Sequence, residues 1–257
     1  MNIYLLYFLT GSLGGFFGGL LGLGGGIIFV PFLFFIFNEY GINSEYVMQS
    51  AICTSLSCIV VSSIASTYKH NKNNLIDWIW FRRLLPGLII GSCLGIILIS
   101  YLPNNEIKFY YGIFLILIAI YVLFDKAIES RRKFKLGLTR LFSLLSGLLS
   151  SFLGIGGGTI NTPYFKIHGK LIKESIATAA ACGIPIALSA VTTSIVINYI
   201  NGGHINFIHK ESFLVVALSS IVFSYIGAST TKFAETSIIK ILFSISVLIM
   251  GIIIIIF

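Results

Sequence analysis

Charge is scarce in this sequence, and that scarcity excludes most soluble folds. Of 257 residues, 10% are charged and 56% are hydrophobic, whereas a soluble domain carries about 25% charged residues. The middle of each apolar tract lacks Asp and Glu, which argues against a pump or proton relay built on buried carboxylates. Cysteine is sparse too. Cys53, Cys58, Cys93 and Cys182 fall inside apolar tracts with no CxxC or Cys/His spacing, so they read as small buried residues and not as a metal or redox site. His168, His204 and His209 lie in predicted loops at no metal-ligand spacing. The tracts hold no paired acids, no Ser–His pair and no HExxH, so neither an enzyme nor a bound cofactor is expected. GLGGGI lacks the third glycine of a dinucleotide fingerprint, and no GK[ST] follows it.

What is abundant is apolar sequence in tracts of about 20 residues, the length a helix needs to cross the hydrocarbon. Ile241–Phe257 does not alternate apolar with polar residues, as the strands of a membrane barrel would. The expected fold is therefore all-α, a polytopic transmembrane helical bundle. The spans read as roughly 3–36, 47–68, 82–101, 107–125, 138–165, 174–199, 211–231 and 237–257. The opening MNIYLLYF has no basic n-region and runs into a long apolar tract, so it reads as part of the first span and not as a cleaved leader.

The net charge is +8, but its placement argues against nucleic acid as a partner. Asp125–Arg140 (DKAIESRRKFKLGLTR) holds six basic and two acidic residues. A basic connection between two spans follows the positive-inside rule and marks a cytoplasmic side. Lys69, His70, Lys72, Arg82 and Arg83 read as interfacial anchors, or as a basic vestibule. Asp77 and Asn206, each just before an aromatic residue, read as helix N-caps.

The chain is duplicated. GLGGGIIFVPF at 22–32 matches GIGGGTINTPYF at 154–165, and QSAIC at 49–53 matches TAAAC at 178–182. Ile76-Asp77-Trp78 then falls on Ile205-Asn206-Phe207, and Gly95 on Gly227. About eight spans thus form two homologous four-segment repeats, 1–125 and 138–257, joined by a basic cytoplasmic linker, 126–137. Paired repeats are common in secondary transporters, with the substrate site at mid-membrane between them.

Nine of the sixteen residues from Gly11 to Gly26 are glycine. Gly11, Gly15 and Gly19, and Gly87, Gly91 and Gly95, have the four-residue spacing that lets helices approach closely in lipid. Gly24-Gly25-Gly26 and Gly156-Gly157-Gly158 cannot all serve one packing face. Each triplet, followed by Pro31 or Pro163, is expected to break its helix. Such breaks survive in a membrane only when buried in protein or lining a wet cavity. The half-helix that follows would present unpaired N–H groups and a positive dipole end, an anion site with no charged side chain. The candidate substrate-binding residues are Gly24, Gly25, Gly26, Thr54, Ser55, Gly156, Gly157, Gly158, Asn161 and Thr162. As one straight helix, segment 3–36 would run about 50 Å. It overshoots, tilts or turns back. Turning back would invert the halves and bring Lys166, Lys170 and Lys173 to the side of the basic linker, and this version is expected. Gly25→Leu and Gly157→Leu are expected to abolish transport, and Gly15→Ala to be much milder.

The paired glycine breaks GLLGLGGGIIFVPFL and GLLSSFLGIGGGTINTPYF, the stretch Ala51–Leu56, HNKNNLIDW at 70–78 and LLPGLIIGSCLG at 84–95 resemble the TauE/SafE family, the sulfite exporter or TSUP family. The resemblance covers essentially the whole chain. It implies a bacterial inner-membrane permease for sulfite, an organosulfonate or a related small sulfur oxyanion. A channel-like anion pore, or a carrier of a non-sulfur carboxylate, stays open as an alternative. The second half departs from the symmetrical pattern, with Gly183-Ile184-Pro185 where the first has Thr54-Ser55-Leu56. The expected partners are a small anion and the lipid bilayer.

Overall fold

The computed structural model describes residues 2–21, 24–124, 136–201, 207–230 and 236–256. Among them are ten helices: α1 (Ile3–Leu21), α2 (Gly26–Glu39), α3 (Val47–Lys72), α4 (Trp78–Tyr101), α5 (Asn104–Phe124), α6 (Leu136–Phe152), α7 (Gly158–Ile167), α8 (Ile172–Ile200), α9 (Lys210–Thr230) and α10 (Thr236–Ile256). Six of these, α1, α3, α4, α5, α8 and α9, are long and apolar enough to cross a membrane. The sequence expectation was about eight. Segment 138–165 is two helices, each too short to span, and 3–36 is also two, of which α1 alone is long enough; α10 is apolar over the described stretch Ser244–Ile256. Most of the basic linker 126–137, together with Gly22, His204 and Asn206, lies outside the described residues.

The glycine triplets break the helices, and the chain reverses there. Gly25 caps α2 and Gly157 caps α7, at φ 75° and 73°, both in the left-handed region that disfavours a side chain. A β-carbon at Gly18 would meet the Gly25 backbone, and one at Gly14 would meet the Phe29 ring. Positions rising along α1 therefore face positions falling along α2, so the two form an antiparallel hairpin. In the second hairpin Tyr164 donates to Thr139 at 3.1 Å, and Phe142 stacks on Tyr164 with ring centroids 3.7 Å apart. The prolines do not make the breaks. Pro31 and Pro163 lie inside α2 and α7, and α8 likewise continues on both sides of Pro185.

The remaining glycines let helices touch. Gly11, Gly15 and Gly19 face Val216, Ser220 and Ser224 of α9, and Gly227 of α9 answers against Phe16. Gly87, Gly91 and Gly95 face Ser143, Leu144 and Ser151 of α6, and Gly147 answers against Leu88. Besides α1 on α9 and α4 on α6, α5 packs on α10 and α3 on α8. A β-carbon at Gly15 would lie 2.8 Å from the Ser220 Cα and carbonyl oxygen, so Gly15→Ala requires α1 and α9 to shift apart.

Hydrogen bonds sort the helix ends onto two faces. On one, Lys170 pairs with Asp77 at 2.5 Å, and the Asp77 N–H donates to Thr178 at 3.0 Å. Asp77 also caps α4, accepting from the N–H groups of Ile79 and Trp80. Burial pushes its carboxyl up, but the Lys170 ammonium and the two N–H groups outweigh that and hold it below its ordinary value. On the opposite face, the Met48 N–H donates to Asn104 at 2.9 Å, and Gln49 to the Leu102 carbonyl at 3.0 Å. The first face carries Lys69, Lys72, Arg82, Arg83, Arg140, Lys166, Lys170 and Lys173 against Asp77 and Glu174. The second carries Glu39, Glu45, Glu106 and Glu211 against Lys108 and Lys210. His70 is 1% exposed and so is not an interfacial anchor, whereas Lys69 lies over the Tyr225 ring.

Candidate functional site

The two hairpin tips meet in the interior. A β-carbon at Gly24 would lie 2.8 Å from the Gly156 Cα, and one at Gly26 would strike the Gly154 carbonyl. Around them stand Ile59 and Ser63 of α3 and Gly183 of α8. Helices α2 and α7 both start here, so two helix N-termini converge. The first N–H groups of a helix have no acceptor within it. Neither cap residue has a side chain to supply one.

At α7 the tip is polar. Asn161 is fully buried, and its Oδ1 accepts from Ser146 of α6 at 2.7 Å. That bond leaves the amide NH2 unpartnered, and Nδ2 lies 2.9 Å from where a Gly157 β-carbon would sit. The Ser150 hydroxyl lies 3.4 Å from the same point and also lacks a partner. So do the hydroxyls of Thr159 and Thr162. A buried polar group without a partner costs about 1–3 kcal/mol. Asn161 and Ser150 converge on Gly157, and Thr159 and Thr162 add two more unpartnered hydroxyls in the first turns of α7. The groups are donors or hydroxyls without charge, and such a set matches an anion. Among the described residues, no group of three His, Cys, Asp or Glu could hold a metal.

The α2 tip is filled instead. By the sequence offset of 132, Asn161 corresponds to Phe29, Ser146 to Gly14 and Gly157 to Gly25. The Phe29 ring is fully buried, presses on Gly14 and lies 2.8 Å from the Gly25 β-carbon position. A carbon ring thus occupies the place of the polar cluster. A cleft of about 260 Å³ between α1, α2 and α10 is lined by Leu13, Phe17, Ile27, Pro31 and Met250. Its walls suit hydrocarbon and not an anion.

The structure brings Gly24, Gly26 and Gly156 together at the tips and Asn161 onto Gly157 at the α7 start, with Gly158 and Thr162 in the same first turns of α7. Ser55 is beside them in a supporting position, donating to the Gly154 carbonyl at 2.9 Å and so holding the second tip. Thr54 is turned elsewhere, and its hydroxyl accepts from the His209 N–H at 3.0 Å. Sequence reasoning missed Ser146 and Ser150. Their four-residue spacing in α6, in register with Ser143, was the available signal. The cysteines are free, with Cys53, Cys58 and Cys182 buried and Cys93 half-buried.

The family model described as sulfite exporter TauE/SafE matches residues 7–254. A "Probable membrane transporter protein" of Haemophilus influenzae is 30% identical over 245 residues, covering 92% of each chain. A relative in Methanocaldococcus jannaschii with the same description is 29% identical, covering 84% of this chain and 80% of its own. The "Probable membrane transporter protein YunE" of Bacillus subtilis is 26% identical, covering 96% of each.

Proposed function

This chain belongs to the sulfite exporter TauE/SafE family of membrane transporters, and from that membership we propose that it is a secondary permease for a small anion. It is a multi-pass membrane protein. The substrate class we favour is sulfite, an organosulfonate or a related sulfur oxyanion, bound at the start of α7. The observation that carries this reading is the unpartnered Asn161 amide beside the unpartnered Ser150 hydroxyl at Gly157, where α7 starts. Burial of Ser150 and Asn161 supports a carrier with an enclosed site over an open pore. We read the bundle as two inverted four-segment repeats whose first segments are the hairpins. The partition of charge supports an orientation with the Lys170 face toward the cytoplasm, and we place the chain in a bacterial inner membrane.

Flux of sulfite, methanesulfonate and acetate into proteoliposomes tests the proposal. Saturable flux of a sulfur oxyanion, with apparent affinity lowered about ten-fold or more by Asn161→Ala in protein that still folds, is the expected result. If none of the three moves, and none raises the melting temperature of the purified protein, the proposal fails.

A further inference from the structure

We propose that the α7 site takes its ligand as a monoanion and rejects a dianion of similar shape. This rests on the anion reading above and adds the charge state to it.

The donors at the tip are all neutral: the Asn161 amide, the hydroxyls of Ser150, Thr159 and Thr162, and the free N–H groups of the helix start. Fixed cations stand well away along both hairpin helices. Arg140 precedes Ser150 by ten residues, and Lys166 follows Gly158 by eight. At 1.5 Å per residue these are separations of about 15 and 12 Å. The helices packed around the tips add none in their central parts. Val47–Tyr68 of α3, Leu84–Tyr101 of α4 and Ser175–Ile200 of α8 contain no Asp, Glu, Lys or Arg.

What the site offers is the partial charge of helix ends. One helix N-terminus is equivalent to roughly half a positive unit. Two converge here, α2 beside α7, because Gly24 packs on Gly156. Because α1 and α6 end at the same tips, their C-terminal carbonyls offset part of this positive charge, so the helix ends supply at most about one unit and leave a second negative charge uncompensated. The penalty for moving an ion into a low-dielectric interior is large and grows with the square of its charge. A dianion therefore pays about four times the desolvation cost for the same donors. Hydrogen sulfite and sulfonates satisfy this requirement, and sulfate does not.

The test uses the full chain, purified in detergent, with two tetrahedral probes of fixed charge at neutral pH, methanesulfonate and sulfate. Methanesulfonate is expected to raise the melting temperature at concentrations at least ten-fold below those at which sulfate acts. Asn161→Lys places a cation at the site and should narrow or reverse the preference. Ser150→Lys serves the same purpose if Asn161→Lys does not fold, because the Ser150 side chain also borders Gly157. Equal potency of the two ions on the native protein overturns the charge rule and leaves the anion site standing. A preference that neither lysine variant shifts also overturns it. Silence of both ions overturns the rule and the anion reading together.

Discussion

The Ser146 hydroxyl donates to the Asn161 carbonyl oxygen across the second hairpin at 2.7 Å. That single bond fixes which end of the amide is free, and turns its NH2 toward Gly157. In the proposed site Ser146 is thus a positioning residue, and the Asn161 NH2 is the free donor. Asn161→Ala removes the donor. A hydrogen bond to a charged partner contributes roughly 1.5–3 kcal/mol, so apparent affinity should fall by ten-fold or more. Ser146→Ala should raise KM less. Flux measured against substrate concentration checks both. Equal, unchanged kinetics in the two variants would remove the amide from the site.

Gly24 has no room for a methyl group. Its φ is 75°, and the new carbon would lie 2.8 Å from Gly156. Gly24→Ala should cost roughly 2 kcal/mol or more through strain and overlap. Gly137 meets nothing within 4 Å in the same hypothetical exchange. Gly137→Ala should be neutral or gain up to about 1 kcal/mol from helix propensity. Thermal unfolding in detergent, followed by fluorescence, separates the two.

The hairpin places both ends of the first segment on one face. Asn2→Cys and Glu39→Cys should react with a membrane-impermeant maleimide from the same side of sealed vesicles. Lys170→Cys should react only from the other side. A Cys93→Ser background removes the half-buried native thiol. Labelling of positions 2 and 39 from opposite sides would mean that segment 3–36 crosses once.

His209 gives a pH signature outside the spans. Burial lowers its pKa below the ordinary value of about 6.5, and the nearby Glu211 only partly offsets this. The folded imidazole stays neutral while the unfolded one takes up its proton. Stability is then full above about pH 6.5 and declines as pH falls toward the lowered value. Unfolding of His209→Gln should show a flatter dependence between pH 7 and 5 than that of the native chain.

Much of the architecture is legible in the residues. Three glycines in a row cannot all face one neighbour, and the structure breaks the helix at both triplets. The four-residue glycine spacings identify contact stripes, and α9 and α6 lie against them. Other features depend on distant chain. Nothing near Thr54 announces that residues 207–209 will claim its hydroxyl. The role of Ser146 needs α7 to fold back beside α6. Pro31 and Pro163 mislead, because proline next to a glycine run suggests a helix stop, yet both are accommodated inside the new helix.

The cross-pairing of α1 with α9 and of α6 with α4 sets an order on biosynthesis. Gly11, Gly15 and Gly19 emerge from the ribosome about two hundred residues ahead of Val216, Ser220 and Ser224, which finally cover them. Until then the small-residue stripe of α1 must face lipid or a membrane chaperone. Of the described helices, α1 is made first and is among the last to be seated. In a nascent chain arrested before α9, α4 can already seat on α6, whereas α1 still lacks its partner.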